Sequence, residues 1–406
     1  MYTGQMDLYS WIVYLGLGLL GYVCIRFAKK DQGCVQVFQK FSFQKRYIGY
    51  LVLVLVFTFF ATFRKVGTML GGADAQNYSN YFINCFNPES YEYGLISEPL
   101  FRYFAQFIRL FTDNPRVFFA ISYGFIALCY CLFVEEYCPK DSSMIPFVLL
   151  IFPYLKAFCT LRSSLAVAVF LIALILVEKK PWLSICLMIS TVFIHRMSIA
   201  YAVFFIFDRI MGNTVIKTQG VKLGKLLFLV SFIGIWSARL VQWVVPALGI
   251  LDTTDNWYLL QSMGTSLIFS LPMYFAHLLV FFFLVLFGDR VNTKHWVRIK
   301  SFLAFDLVII PATILLGFWR SNEYMYVVRL VAWSQLIPAG EAVLSEVYEK
   351  YRTVIKRWIK LEVSKEAFVK IYRVALACCF AGWLVFRILS EWDDLKIMPY
   401  ILNFYW

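Results

Sequence analysis

Long apolar runs separated by short polar breaks recur from one end of the chain to the other. A helix needs roughly 20 apolar residues to cross the hydrocarbon core of a bilayer. On that measure the pattern predicts about 12 spans, near residues 8–28, 47–63, 117–137, 143–158, 162–178, 182–195, 197–209, 225–247, 267–288, 301–319, 325–345 and 373–390. Several are short for a straight crossing, so tilted, broken or re-entrant segments are expected among them. The fold class this implies is an all-α polytopic integral membrane protein. It reads as a single membrane domain over residues 1–406, with no internal repeat and no separate soluble domain.

Two segments depart from that rhythm. Residues 64–116 form a long loop that opens with Arg64-Lys65-Val66-Gly67-Thr68, passes Gly71-Gly72-Ala73-Asp74, then carries Tyr78, Tyr81, Tyr91 and Tyr93. From Glu98 the spacing turns helical. Leu100, Phe101, Phe104, Phe107, Ile108 and Phe111 recur, with Arg102, Gln106 and Arg109 opposite. The spacing predicts an amphipathic helix over 98–113 lying in the outer membrane interface. Pro99 suits its first turn, and acidic Glu98 stands just ahead of it. Residues 346–373 interleave Tyr351, Ile355, Trp358, Ile359 and Leu361 with Lys350, Arg352, Lys356, Arg357 and Lys360. That mixture predicts a basic interfacial helix held by anionic lipid.

Composition strengthens the membrane reading: 61% of residues are hydrophobic and only 16% charged, a balance foreign to soluble domains. The net charge of +13 would point to nucleic acid in a soluble protein. Here its distribution gives the topology instead. Segments 26–46, 138–142, 179–181, 209–225, 289–300 and 346–373 hold 25 of the 38 lysines and arginines and are read as cytoplasmic. Both termini and the 64–116 loop then face outward, and no nucleic-acid partner is expected. The first residues lack the basic region and cleavage site of a signal peptide, so the first apolar stretch reads as a retained span. The 10 cysteines contain no Cys-x-x-Cys and read as small buried apolar residues. No metal or cofactor is expected, because no His-rich or carboxylate cluster has ligand spacing.

With this threading, Arg64, Arg162, Arg196, Arg320 and Arg329 fall at or near the outer ends of spans, against the usual bias. Arg239 lies deeper in its span. A charge near the bilayer centre costs at least about 2.5–3.5 kcal/mol on insertion scales, so each needs a wet cavity or an anion. Arg64 and Arg320 also fit as interface anchors. Glu323 or Asp74 would serve as structural partners for any one arginine. The set as a whole fits a phosphate-bearing substrate, since guanidinium binds phosphate bidentately and stays charged. Of the three histidines, His295 lies in a basic cytoplasmic loop and His277 falls mid-span, where one interhelical hydrogen bond would satisfy it. His195 joins two short apolar stretches on the outer side. It reads either as a polar residue closing a helix or as a base for a hydroxyl proton.

The order Arg64, glycine, Asp74, Tyr78, then Glu98-Pro99, Arg162 opening a span and His195 between short spans resembles the EpsG family. Those are Wzy-type polymerases of bacterial exopolysaccharide, capsule or O-antigen. Arg329 in a late span and Pro399-Tyr400 in the tail are also similar, and the resemblance covers roughly residues 47–400. The chain departs from the pattern in placing Arg64 and Asp74 farther apart than the usual Arg-x-x-x-Gly-x-Asp form, with Gly71-Gly72 in the interval. The resemblance implies a metal-independent glycosyltransferase of the bacterial cytoplasmic membrane, working on the extracytoplasmic side. Its substrate would be an undecaprenyl-diphosphate-linked oligosaccharide. Membrane lipid and a chain-length regulator protein would be its partners. His195 is then the expected base, with Asp74 second. Arg64, Arg162 and Arg329 are expected at the leaving diphosphate, Arg196, Arg239 and Arg320 in support, and Tyr78 among the sugar-binding aromatics. Two other classes fit the cationic set: a flippase or transporter of lipid-linked oligosaccharide, and an O-antigen ligase or membrane acyltransferase.

Overall fold

A computed structural model of the chain describes residues 7–30, 34–38, 41–67, 70–87, 98–138, 152–199, 201, 204–206, 208, 278–284, 286–287, 295–315, 319–359 and 364–404. These residues are overwhelmingly helical. One short antiparallel hairpin, β1 (Cys34–Phe38) with β2 (Phe41–Gln44), sits between the first two helices. Among the described residues, four helices are long and apolar enough to cross a membrane, over 8–29, 115–137, 326–351 and 365–389, and three more apolar helices are shorter. The expected span 225–247 lies outside the described residues, as do parts of 143–158, 197–209 and 267–288. The chain divides into two compact units, residues 1–201 with 377–406, and residues 202–376.

The first unit is built around α5 (Pro115–Tyr137). Asn114 caps it, its side chain accepting from the Arg116 N–H at 3.0 Å, and Pro115 takes the first helical position where no N–H is needed. Against α5 pack α2 (Lys45–Thr62) and α6 (Leu161–Leu176). In turn α1 (Leu8–Lys30) lies on α2, and α7 (Pro181–Ile194) on α6. Small residues set the spacing: a Cβ on Gly49 would meet the Cys24 carbonyl oxygen at 2.5 Å, so α1 and α2 approach only because it is absent.

Between α2 and α5 the 64–116 loop supplies two short helices, α3 (Ala75–Ile83) and α4 (Pro99–Arg109). The expected helix after Glu98 is present as Pro99–Arg109, but its apolar stripe is divided. Phe101, Ala105 and Ile108 are buried, Phe101 packing on Tyr81 and Phe118, whereas Tyr103, Phe107, Leu110 and Phe111 are exposed. Only part of the stripe packs inward, so the six apolar positions do not form one buried face.

The C-terminal tail straps the start of this loop. Lys65 N–H donates to the Ile401 carbonyl at 2.7 Å, Asn403 N–H to Phe63 at 2.7 Å, Gly72 N–H to Lys396 at 3.1 Å and Ala73 N–H to Leu395 at 3.0 Å. Tyr400 is buried and its hydroxyl donates to the Phe60 carbonyl at 2.8 Å. Gly71 and Gly72 turn with φ of 76° and 118°, and a Cβ on Gly72 would lie 2.3 Å from the Phe158 carbonyl oxygen. No disulfide joins the described cysteines.

The second unit contains α8 (Trp296–Leu315), α9 (Trp319–Ser334), α10 (Leu336–Ile359) and the start of α11 (Lys365–Leu395). In the basic segment 346–373, α10 comprises two helices joined across a break at Tyr351 (φ −114°, ψ 19°), and α11 begins at Lys365.

Candidate active site

Three elements converge on the carboxylate of Glu98, which precedes α4 and is 4% exposed. Arg162, the second residue of α6, donates from Nη1 to Glu98 Oε2 at 2.5 Å. The backbone N–H of Arg196, in the tight turn Arg196–Ser198 after α7, donates to Oε1 at 3.0 Å. One buried side chain therefore ties the start of α6 to the end of α7. Glu98 makes no side-chain cap on its own helix; its carboxylate bridges α6 and the turn after α7 instead.

His195 occupies the turn that Glu98 holds. It closes α7 in an extended conformation, its N–H donating to the Thr191 carbonyl at 2.9 Å, and it is buried. Its own carbonyl accepts from Ser198 N–H at 3.0 Å, and the Ser198 and Thr191 hydroxyls hydrogen-bond at 3.1 Å. The histidine is thus fixed by a folded turn rather than carried on a loose loop. The Arg196 side chain is exposed.

Tyr78 reaches the same cluster from α3. It is buried, lies against Phe101 with ring centroids 6.2 Å apart, and its hydroxyl faces the Arg162 guanidinium. Burial raises the pKa of this phenol, and the nearby cation only partly offsets it, so Tyr78 stays a neutral donor. Asp74 stands at the N-cap position of the same helix, half-buried, with Asn77 Nδ2 at 3.5 Å from Oδ1. The Nε of Arg162 is buried and has no hydrogen-bond partner among the described residues. A buried, charged N–H donor without an acceptor is costly, and an anion would satisfy it.

Other expected site residues lie elsewhere. Arg64 is 2% exposed, inside the first unit. Its Nε donates to the Gly71 carbonyl at 2.6 Å, Nη1 to the Ala61 carbonyl and Nη2 to the Tyr123 hydroxyl at 2.8 Å. The guanidinium lies over the rings of Phe158 and Tyr123, at 4.2 and 4.8 Å from their centroids. Its donors fasten the end of α2 to the glycine turn and to α5. Arg329 belongs to the second unit and forms a fork with Asp306, Nε to Oδ2 at 2.5 Å and Nη2 to Oδ1 at 2.7 Å. Arg320 is on α9 and Arg239 lies outside the described residues, as does His277. His295 is buried in the second unit.

So the structure gathers Tyr78, Arg162, His195 and Arg196 around Glu98, with Asp74 at the start of the helix that carries Tyr78; Arg64 fastens the glycine turn that leads to Asp74, and Arg329 belongs to the second unit. Glu98 and Asp306 were not read as partners of arginine from sequence. For Glu98 a signal existed: a lone carboxylate between apolar stretches, close in threading to Arg162. Asp306, in Ala304-Phe305-Asp306-Leu307, was the equivalent signal for Arg329.

Apolar helices of membrane-spanning length, with a buried polar cluster gathered at their ends, define a helical membrane protein with a candidate site at one end of its helices. The model of the EpsG family matches residues 47–342, which include every member of the cluster. The chain belongs to the EpsG family, a family of Wzy-type polysaccharide polymerases. No curated protein and no solved structure matches it.

Proposed function

We propose that this protein joins undecaprenyl-diphosphate-linked oligosaccharide repeat units into a bacterial surface polysaccharide, at the outer face of the cytoplasmic membrane. The observation that carries the reading is the buried Arg162 Nε without a partner among the described residues, in a cluster with Tyr78 and the His195 turn of an EpsG-family chain. In the reaction, a terminal sugar hydroxyl of the incoming unit attacks the anomeric carbon of the growing glycan. A new carbon–oxygen bond forms and the bond to the diphosphate breaks. Undecaprenyl diphosphate leaves with the bonding electrons, and His195 takes the hydroxyl proton, with Asp74 the second candidate.

Negative charge builds up on the diphosphate oxygens as that bond breaks. Fixed donors aimed there lower the barrier because they need no reorganisation. Arg162 offers its Nε–H, Arg196 an exposed guanidinium beside the histidine turn, and Tyr78 a neutral hydroxyl. Arginine charge takes the place that a divalent cation would fill, so the transfer is metal-independent. Arg64 braces the glycine turn ahead of Asp74, its donors serving carbonyls and a phenol, and Arg329 is paired with Asp306 in the second unit. A chain-length regulator protein is a natural partner for such a polymerase.

Reconstitution with a purified lipid-linked repeat unit and a chelator tests this. Glycan growth as a ladder of repeat units is expected. Flipping of the lipid without growth would assign a transporter instead, and transfer of the glycan to a different acceptor a ligase.

A further inference from the structure

Glu98 poses a problem for the site as described. A diphosphate requires positive charge, yet the most buried cation of the cluster sits 2.5 Å from a carboxylate. The Glu98 side chain is 5% exposed and that of Arg162 18%. At that separation the two largely neutralise each other. The carboxylate also spends its second oxygen on the backbone of Arg196, adjacent to His195. It makes no cap on α4, so no local duty explains its position.

We infer that Glu98 is the resident anion of the site: it holds Arg162 and the His195 turn in register, and it yields its share of the guanidinium to the incoming diphosphate. This rests on the polymerase reading above. The geometry supports such an exchange because Arg162 has donors to spare. Nη1 serves Glu98, whereas Nε is buried without a partner among the described residues. A guanidinium can add a second oxygen anion along its other edge while loosening the first. Glu98 therefore works through Arg162 and His195 as a positioning residue and does not touch the sugar.

The two roles separate in Glu98→Gln. The amide removes the negative charge that competes for Arg162, so a diphosphate should bind more tightly. It also faces one of its two N–H partners with an NH2 group, so the His195 turn loses register and turnover slows. A merely structural glutamate would weaken binding and rate together.

The experiment compares wild type, E98Q, R162A and E98Q/R162A in nanodiscs, with undecaprenyl diphosphate as the binding probe and ladder growth as the rate. For E98Q we expect binding tighter by about threefold from the lost competing charge and saturating growth slower by about tenfold from lost positioning. The tightening should vanish in the R162A background. Unchanged or weaker binding by E98Q overturns the inference, as does tightening that survives without Arg162. Should E98Q fail to accumulate, E98D serves in its place. Its shorter reach to Arg162 predicts the same tighter binding, and unchanged or weaker binding again overturns the inference. Absence of growth by wild type in the same assay instead rejects the polymerase reading, so the two failures are told apart.

Discussion

An arginine inside a membrane protein must find an anion, a ring of oxygens or water, and this chain uses different solutions at different positions. Arg64 is served by backbone carbonyls, a tyrosine hydroxyl and aromatic faces. Arg329 has the bidentate carboxylate of Asp306. Arg162 has one carboxylate contact and a buried Nε without a partner among the described residues. Of these three, Arg162 bears directly on the cluster at the His195 turn. Arg162→Lys should keep the charge but lose the planar fork, lowering ladder growth by about 100-fold, the scale of one transition-state donor, with accumulation near wild type. Arg329 behaves differently. Asp306→Asn leaves a buried cation without its counter-charge and should destabilise the fold by about 3–5 kcal/mol, read as an earlier thermal unfolding in detergent. The paired replacement D306L/R329M should restore both accumulation and growth, because buried ion pairs are often exchangeable for apolar pairs of similar volume. Restored accumulation with no growth would return Arg329 to the reaction.

Among the elements, helices were legible wherever an apolar run continued without a polar break. The expected 117–137 and 182–195 appear as Pro115–Tyr137 and Pro181–Ile194, each opening on a proline that periodicity alone did not fix. α4 was legible as a helix and misread in its faces, since counting apolar positions cannot tell a lipid-facing phenylalanine from a bundle-facing one. The candidate site was legible by residue type: Arg162, His195, Asp74 and Tyr78 were all marked, and they converge. Their hub was missed, because Glu98 beside Pro99 also has the signature of a helix start. The tail strap was least visible, since it depends on backbone hydrogen bonds between segments more than 300 residues apart, which leave no pattern in side chains. The glycine turn under that strap is testable. Gly72→Ala places a Cβ against the Phe158 carbonyl at a φ of 118°, a strain of roughly 1–3 kcal/mol. The displaced loop carries Asp74 and leads into α3, so growth should fall by more than the loss of folded protein explains, measured as rate per folded molecule.

For the molecule as a whole, the proposed chemistry stands or falls on which side of the membrane the cluster faces. Every cluster member belongs to the first unit, at the loop that joins α2 to α5, the start of α6 or the end of α7. These positions share one side if α5 and α6 run in one direction and α2 and α7 in the other, and the short connection between α6 and α7 sets that pair antiparallel. Charge then sets the side, since Lys29, Lys45, Arg46, Lys179 and Lys180 all border the opposite helix ends. Alkaline phosphatase folds only outside the cytoplasm, and a green fluorescent protein fusion fluoresces only inside it. A phosphatase insertion after Asn87, at the end of the described outer segment, should therefore be active, and fluorescent-protein insertion at the same site dark. Insertions after Lys179, in the α6–α7 connection, should give the reverse. Phosphatase activity at Lys179 with fluorescence at Asn87 would put the cluster in the cytoplasm. There it would meet lipid-linked units before they are flipped, and extracytoplasmic polymerisation would be excluded whatever the arginines bind.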